Sequence, residues 1–188
     1  MKIKVSLNEK SIKETISRLN KIKKDYAVAY EDFLEDVALW LINKANENLD
    51  MSDIGDNVKQ DIKNSWEYDR TATGIKITNR SDKAVFVEFG VGMIGAQQPH
   101  QNANANGYAY GIGKKIRDDG TWIFNPKSEA DIDIQSQYLV QGLEEGHTTA
   151  VTRGQPAVMY AYNAIVDIKV GKTLQNLWEK NRKRNLGF

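Results

Sequence analysis

The chain has 188 residues, and we predict one domain over residues 1–188 with its core between about 26 and 180. Its 26 basic and 25 acidic side chains leave a formal net charge of +1, so no strong overall field would attract nucleic acid or anionic lipid. The absence of cysteine excludes disulfides, thiolate metal sites and cysteine nucleophiles. No apolar run reaches membrane-spanning length and no signal peptide is visible, which predicts a protein made in the cytoplasm.

A long run of apolar residues at helical spacing occupies the first quarter of the chain. Its members lie three or four residues apart, at Ile12, Ile16, Leu19, Ile22, Tyr26, Tyr30, Phe33, Val37, Leu41 and Ala45. The spacing predicts a helix over about residues 9–48, which would be ~60 Å long at 1.5 Å per residue. A compact domain of this size cannot cover such a helix, so either it breaks near residues 23–25 or its first half packs on another subunit. The second alternative makes Ile12, Ile16 and Leu19 interface residues.

Alternation of apolar and polar residues predicts short strands in several places. Residues 2–7 show this pattern, and residues 64–70 and 74–79 fit a hairpin with a turn at Thr73 and Gly74. Residues 122–124 resume strand character further along the chain. The segment over residues 58–68 suits a strand of mixed burial, since Ile62, Trp66 and Tyr68 share a parity, and its first part is also compatible with a helical turn.

The apolar run Lys83–Phe89 predicts the central strand, because Val and Phe suit a pleated, largely buried surface. Gly90 and Gly92 follow, and glycine adopts positive φ most easily, so we expect the strand to end there in a sharp exit. On a strand, Glu88 would share a face with Phe86. With the hairpin, this strand would complete a three-stranded antiparallel meander.

After Gly92 the chain loses apolar periodicity, which predicts a long loop or arm over residues 93–118. Tyr108 and Tyr110 are large aromatic side chains in this loop, and we expect them to contact something outside the domain. A final helix is predicted to open at Pro156, with Gly171 weakening its middle.

The last helix ends in a basic cluster over residues 180–184, which would complement the helix dipole or contact DNA phosphates. Together these elements predict an α+β fold. Its long N-terminal helix and its C-terminal helix would pack on one face of a small, mainly antiparallel sheet, with the long loop after the central strand.

No motif for nucleophilic catalysis, phosphate binding or zinc hydrolysis is present. We therefore predict no catalytic, metal-binding or cofactor-binding residues. The alternative from another functional class is a small hydrolase in which Glu88 acts with His100 or His147. The same three residues would form a metal triad, and Asp131 with Asp133 would form a carboxylate pair, although solvated residues explain all of these more simply.

Several short motifs occur in a characteristic order along the chain. They are Gly55-x-x-Val58-x-x-x-Ile62-x-x-Ser65-Trp66, Gly74-Ile75-x-Ile77-Thr78-Asn79, Val87-Glu88-Phe89-Gly90-x-Gly92, Trp122 and Gly154-Gln155-Pro156-Ala157-x-Met159-x-x-x-x-Ala164. This order resembles the gene-product-ten-like tail-component family of tailed bacteriophages, whose members are neck proteins. Lys83, Val91 and residues 158–160 depart from the usual family pattern, which has tyrosine, threonine and a Pro-Phe pair there.

The resemblance implies a structural virion protein without enzymatic activity or cofactor, assembled in the host cytoplasm and located in the phage neck. It would form a ring, expected to be a hexamer, that joins the head connector to the tail tube, or would act as the tail terminator of the same region. Its partners would be its own copies, an adaptor or stopper, the tail terminator or tail tube, and genomic DNA passing through the lumen without sequence-specific binding. Interface residues would be Glu88, Phe89, Gly90, Gly92, Tyr108 and Tyr110, together with Ile12, Ile16 and Leu19.

Overall fold

The computed structural model describes residues 8–110, 121–124, 139–141 and 150–187. In chain order the elements are α1 (Glu9–Asp50), α2 (Asp56–Asn64), β1 (Trp66–Thr71), β2 (Gly74–Asn79), α3 (Ala84–Phe89), α4 (Gly92–Gln97), a 3-10 turn (Asn104–Asn106), β3 (Trp122–Phe124), β4 (Leu139–Gln141), β5 (Ala150–Thr152), β6 (Gly154–Gln155), α5 (Tyr160–Val170) and α6 (Thr173–Leu186). This helix-rich α+β architecture confirms the predicted fold class. The strand predicted over residues 2–7 lies outside the described residues.

Helix α1 is continuous over 42 residues, so the alternative in which it breaks near residues 23–25 is wrong. Its N-terminus is capped by Asn8, whose Oδ1 accepts a hydrogen bond of 2.9 Å from the backbone N–H of Ser11. The first buried residue of α1 is Ala29, and none of residues 9–28 is buried. We call residues 9–28 the N-terminal extension; at 1.5 Å per residue it is about 30 Å long.

The hydrophobic core lies against the second half of α1. Buried side chains of α1, α2, α3 and α5, with the loop after α1, form one cluster: Ala45, Leu49, Ile54, Val58, Ile62, Ala84, Val87, Tyr160 and Ala164. Trp66 packs against this cluster, and its indole N–H donates a 2.9 Å hydrogen bond to Asn46 Oδ1. The aromatic side chain thereby joins the start of the β1–β2 hairpin to α1.

The predicted hairpin is confirmed: β1 and β2 pair antiparallel from Trp66 opposite Asn79 to Thr71 opposite Gly74. Tyr68 on β1 donates a 3.0 Å hydrogen bond to Glu35 of α1, so the hairpin also contacts the long helix through polar side chains. A second antiparallel sheet has the order β3-β5-β4, which confirms strand structure at residues 122–124.

The predicted central strand is wrong, because Ala84–Phe89 forms the short helix α3. Ala84, Val87 and Glu88 are buried, whereas Val85 and Phe86 are 43% and 46% exposed. The buried positions i, i+3 and i+4 follow the helical period, so Glu88 and Phe86 do not share a face. Packing of this face on the core outweighs the strand propensity of Val and Phe, and the three-stranded meander is reduced to the β1–β2 hairpin.

Residues 56–64 form helix α2, which agrees with the helical alternative for the first part of the segment before the hairpin. The predicted loop differs from expectation, because it begins with helix α4 and includes a 3-10 turn; its last part lies outside the described residues. The C-terminal helix begins at Tyr160, after Met159 in the left-handed conformation, and not at Pro156. Near Gly171 it divides into α5 and α6, since the extended backbone there interrupts the helix.

Helix α6 packs along the middle of α1. Phe33 and Trp178 make an edge-to-face contact with ring centroids 5.7 Å apart. Two cations of the C-terminal basic cluster pair with α1 carboxylates, Lys180 with Asp36 at 3.0 Å and Arg184 with Asp32 at 2.7 Å. These contacts use part of the basic cluster to attach α6 to α1.

Hydrogen bonds hold the two α1 carboxylates in their ionised form. A hydrogen bond from Asn185 is the main cause that lowers the pKa of Asp32. Burial opposes the charge of Asp36, but hydrogen bonds from Asn181 and Lys180 more than offset it, so the pKa of Asp36 is lowered too. A lowered carboxyl pKa adds stability above the unfolded value of about 3.9, and this contribution is lost as pH falls through the folded pKa.

We therefore predict that the double variant Asp32→Asn/Asp36→Asn is less stable than the wild type at pH 7, and that the difference is lost as pH falls through the lowered pKa values of the two carboxyls. Thermal unfolding followed by circular dichroism over a series of pH values from neutral to acidic measures it. Asp82→Asn serves as the control, since the Asp82 side chain is 91% exposed. A stability difference that stays constant over the pH range would contradict a stabilising role for the ionised carboxylates of Asp32 and Asp36.

Candidate functional site: the Glu88 cluster

The buried carboxylate of Glu88 lies at the end of α3 and faces the start of α5. Its Oε2 accepts a 2.9 Å hydrogen bond from the backbone N–H of Ala161, and its Oε1 accepts one of 2.9 Å from that of Tyr162. The first N–H groups of a helix have no partner within the helix, and the helix dipole favours negative charge there. Glu88 therefore caps α5 from a distant part of the chain.

Backbone hydrogen bonds join the same two segments. The N–H of Val158 donates to Val87 O at 3.0 Å, and the N–H of Met159 donates to Glu88 O at 3.2 Å. These carbonyl groups lie at the end of α3, where a helix leaves its carbonyls unpaired. Met159 adopts φ 57°, a conformation that costs a non-glycine residue about 1 kcal/mol or more. The contacts to α3 hold this strained residue immediately before α5.

His100 completes the hydrogen bonding of Glu88. Its Nδ1 accepts a 3.0 Å hydrogen bond from the backbone N–H of Asn102, so the ring proton must be on Nε2. Nε2 lies 3.1 Å from Glu88 Oε1 and donates to it. His100 is 4% exposed, and both of its nitrogens are engaged within the chain. In this arrangement the imidazole is neutral and positions the carboxylate, with no free lone pair to accept a proton from a substrate.

An aromatic group surrounds this pair. The Phe89 ring lies 4.4 Å from the His100 ring and 4.8 Å from the Tyr108 ring, and Tyr110 meets Tyr108 edge-to-face at 5.1 Å. The Tyr108 hydroxyl donates to Gly90 O at 2.6 Å, and the Tyr110 hydroxyl accepts from the His100 N–H at 2.9 Å. Burial raises the pKa of Tyr108 to about 12. Both tyrosines, expected to contact an outside partner, here fix the loop onto the end of α3.

Three glycines allow two backbone segments to approach closely. Gly90, Gly92 and Gly154 have φ of 77°, 66° and 92°, which confirms the positive φ expected at the first two. An added Cβ would lie 2.6 Å from Ala157 N at Gly90, 2.8 Å from Arg153 O at Gly92 and 2.0 Å from Val91 O at Gly154. The motif at residues 87–92 therefore packs directly on the motif at residues 154–157.

Sequence reasoning missed that packing constrains the motif at residues 154–157. Gln155 is wholly buried, and its Nε2 donates a 3.1 Å hydrogen bond to Phe86 O. The Gly-Gln-Pro triplet is the available signal, but on the sequence alone it indicates the opening of a helix and a family motif, not a buried glutamine. No local signal marks Met159, whose left-handed conformation depends on α3.

The structure brings six of the predicted interface residues together: Glu88, Phe89, Gly90, Gly92, Tyr108 and Tyr110. Ile12, Ile16 and Leu19 lie apart from them on the N-terminal extension. The other candidates for acid–base chemistry, His147, Asp131 and Asp133, fall outside the described residues.

Within the part of the chain that the structure describes, no group of three acidic or histidine side chains is arranged to hold a metal ion. The helices of these ranges include none long and apolar enough to cross a membrane. Comparisons of the chain with protein-family models, with curated proteins and with solved structures found no match.

Proposed function

We propose that this chain is a structural subunit of the neck of a tailed bacteriophage, and that its copies form a ring, expected to be a hexamer, between the head connector and the tail tube. Its neighbours would be an adaptor or stopper on one side and the tail terminator or tail tube on the other. DNA would pass through the lumen without sequence-specific contacts, for which a formal net charge of +1 is suitable. The tail terminator of the same region is the alternative position.

The observation that carries this proposal is the uncovered apolar stripe of the N-terminal extension. Ile12, Ile16 and Leu19 are 42%, 53% and 50% exposed. Their spacing of four and three residues places them on one face of a helix that has no buried residue before Ala29. A contiguous exposed apolar surface marks a protein–protein contact, because water solvates it poorly. Repetition of one such contact around an axis would produce a ring.

The Glu88 cluster supports a structural subunit over a hydrolase that uses Glu88. Both carboxylate oxygens accept hydrogen bonds from groups of the same chain, and His100 uses both nitrogens in the same network. The Val-Glu-Phe-Gly-x-Gly motif that carries the family resemblance therefore has a role in folding. It joins α3, the following loop and α5.

The stripe can be tested without disturbing the fold. We predict that Ile16→Ser/Leu19→Ser abolishes self-association while the free energy of unfolding changes by less than about 1 kcal/mol, since both side chains are already half exposed. Mass photometry and negative-stain microscopy over a range of concentrations measure association. Val170→Ser, at a position 82% exposed, is the control and should leave association unchanged. Assembly of the double variant like the wild type would contradict the role of the stripe.

The location in the virion needs a separate experiment in the phage that encodes the chain. A nonsense mutation in its gene should yield DNA-filled heads and free tails that do not join, and complementation with the wild-type chain should restore particles. An antibody against the chain should label the neck of complete particles. Normal particles without the protein, or labelling confined to another part of the virion, would overturn the proposal.

A further inference from the structure

We infer that the N-terminal extension of one copy docks head to tail into a cleft at the opposite end of α1 in the next copy. The cleft lies where α1 ends, has a volume of about 260 Å³ and is lined by Asn48, Met51, Ser52, Asp53, Ile54, Gln155, Pro156 and Val158. We call it the α1–α2 cleft, because the loop between these two helices contributes Met51, Ser52, Asp53 and Ile54 to its lining. This inference rests on the proposed ring and names the two surfaces that would form its subunit contact.

The rim of the α1–α2 cleft carries an exposed apolar side chain, that of Met51, and an acidic side chain, that of Asp53. Met51 is 74% exposed, an unusual position for a long apolar side chain beside a cleft. Residues 50–57 contain three aspartates and no basic residue. Asp50 pairs with Lys63 and Asp56 pairs with Lys59, whereas Asp53 makes no ion pair within the residues that the structure describes. Asp53 therefore leaves one uncompensated negative charge on the rim of the cleft, next to an exposed apolar side chain.

The N-terminal extension has the complementary chemistry. Residues 9–25 carry six basic and three acidic side chains, a net charge of +3: Lys10, Lys13, Arg18, Lys21, Lys23 and Lys24 against Glu9, Glu14 and Asp25. Lys23 lies four residues after Leu19 and so continues the apolar stripe. It makes no ion pair within the described part of the chain. The extension thus presents apolar side chains in line with an unpaired ammonium group.

Charge distinguishes between the surfaces that could pack on this stripe. Two extensions packed on each other would place surfaces of +3 together, which opposes association. The exposed Val170 near the α5–α6 junction is a second apolar surface, but Lys169 and Lys172 flank it, and the nearby carboxylates of Glu47 and Asp167 both pair with Lys44. The α1–α2 cleft combines an apolar contact with negative charge, so it is the complementary surface.

The length of α1 makes this contact intermolecular. Residues 23 and 50 are both in the continuous helix α1, so they lie about 40 Å apart at 1.5 Å per residue. Lys23 therefore cannot reach Asp53 of its own chain. Because the two contacting surfaces differ, the contact is heterologous, and its repetition gives a closed ring or a filament.

The absence of cysteine allows a clean crosslinking test. Full-length Lys23→Cys and Asp53→Cys variants are mixed at assembly concentration and treated with a mild oxidant. Since docking holds the two thiols together, we expect a 23–53 disulfide dimer in a yield on the order of tenfold above that of the control. The control is Lys21→Cys mixed with Asp53→Cys, because two residues along a helix turn the side chain to the opposite face.

Charge reversal provides a second measurement in the uncrosslinked protein. Lys23→Glu and Asp53→Lys should each weaken self-association, and the chain that carries both changes should regain most of it, as a directly interacting pair requires. Equal loss in the single and double variants would overturn the contact.

The outcomes separate this inference from the proposed function. Rings that assemble with no excess of the 23–53 disulfide over the control would overturn the inference and leave the neck proposal standing. Full assembly of both charge-reversed single variants would likewise overturn the inference and leave the neck proposal standing. A chain that does not self-associate at any concentration and is missing from the neck of phage particles would overturn both.

Discussion

Replacing Gly154 with alanine is expected to lower the free energy of unfolding by more than about 3 kcal/mol, or to prevent folding. The new Cβ would lie 2.0 Å from Val91 O and 2.9 Å from Gly92 Cα, and both are backbone atoms that cannot move alone. The φ of 92° adds strain for any residue with a Cβ. Separation of the two segments would also break the bridges Val91–Gln155 and Gly92–Gly154.

A glycine series separates the steric effect from backbone strain. Gly107 has a φ of 64° but no atom within 4 Å of its Cβ position, so Gly107→Ala should cost only about 1 kcal/mol. Gly74 has neither a positive φ nor a close neighbour, and Gly74→Ala should lie within about 1 kcal/mol of the wild type. Denaturant unfolding of the three variants measures the order, and a Gly154→Ala variant as stable as Gly74→Ala would contradict the observed packing.

Features that depend on local periodicity could be predicted from the sequence. The three- and four-residue spacing from Ile12 to Ala45 predicts α1, and the structure shows that the helix is unbroken. Alternation around the turn at Thr73 and Gly74 predicts the β1–β2 hairpin with bounds close to those observed. In both cases the signal lies within the element itself.

Helix α3 could not be predicted because its stability comes from distant residues. A short apolar run such as Ala84–Phe89 fits a strand or a buried helix equally well, and Val and Phe favour the strand. The free carbonyls of α3 accept hydrogen bonds from Val158 and Met159, about 70 residues later in the chain. The candidate site has the same limitation, since nothing near Glu88 in the sequence indicates that it caps α5.

Removal of the Glu88 carboxylate is the second change with a large expected effect. Glu88→Ala leaves the N–H groups of Ala161 and Tyr162 and the Nε2–H of His100 without an acceptor. Each hydrogen bond to a charged group contributes about 1.5–3 kcal/mol, and the effects within one network are not additive. We expect the free energy of unfolding to fall by about 3–5 kcal/mol, with α5 detached from α3 in any state that remains folded.

Glu88→Gln tests the role of the charge in the same volume. If the amide oxygen replaces Oε2, the NH₂ group faces the Tyr162 N–H; with the opposite orientation it faces the Ala161 N–H. In either orientation the amide NH₂ group therefore faces a backbone N–H, so that two donors meet without an acceptor. We expect a loss of about 1–3 kcal/mol in the free energy of unfolding. Tyr162→Phe, which removes only the exposed hydrogen bond to Gln101, is the control and should change stability by less than about 1 kcal/mol.

These variants also distinguish a folding role of Glu88 from catalysis. A catalytic carboxylate is usually held at some cost in stability, so its replacement leaves the free energy of unfolding unchanged or raises it while activity is lost. A capping carboxylate gives the opposite result, a large loss of stability that is greater for alanine than for glutamine. Denaturant unfolding of Glu88→Ala and Glu88→Gln beside Tyr162→Phe decides the question. Wild-type stability in both Glu88 variants would return the hydrolase alternative to consideration, because the carboxylate would then be free to serve a purpose other than holding α5.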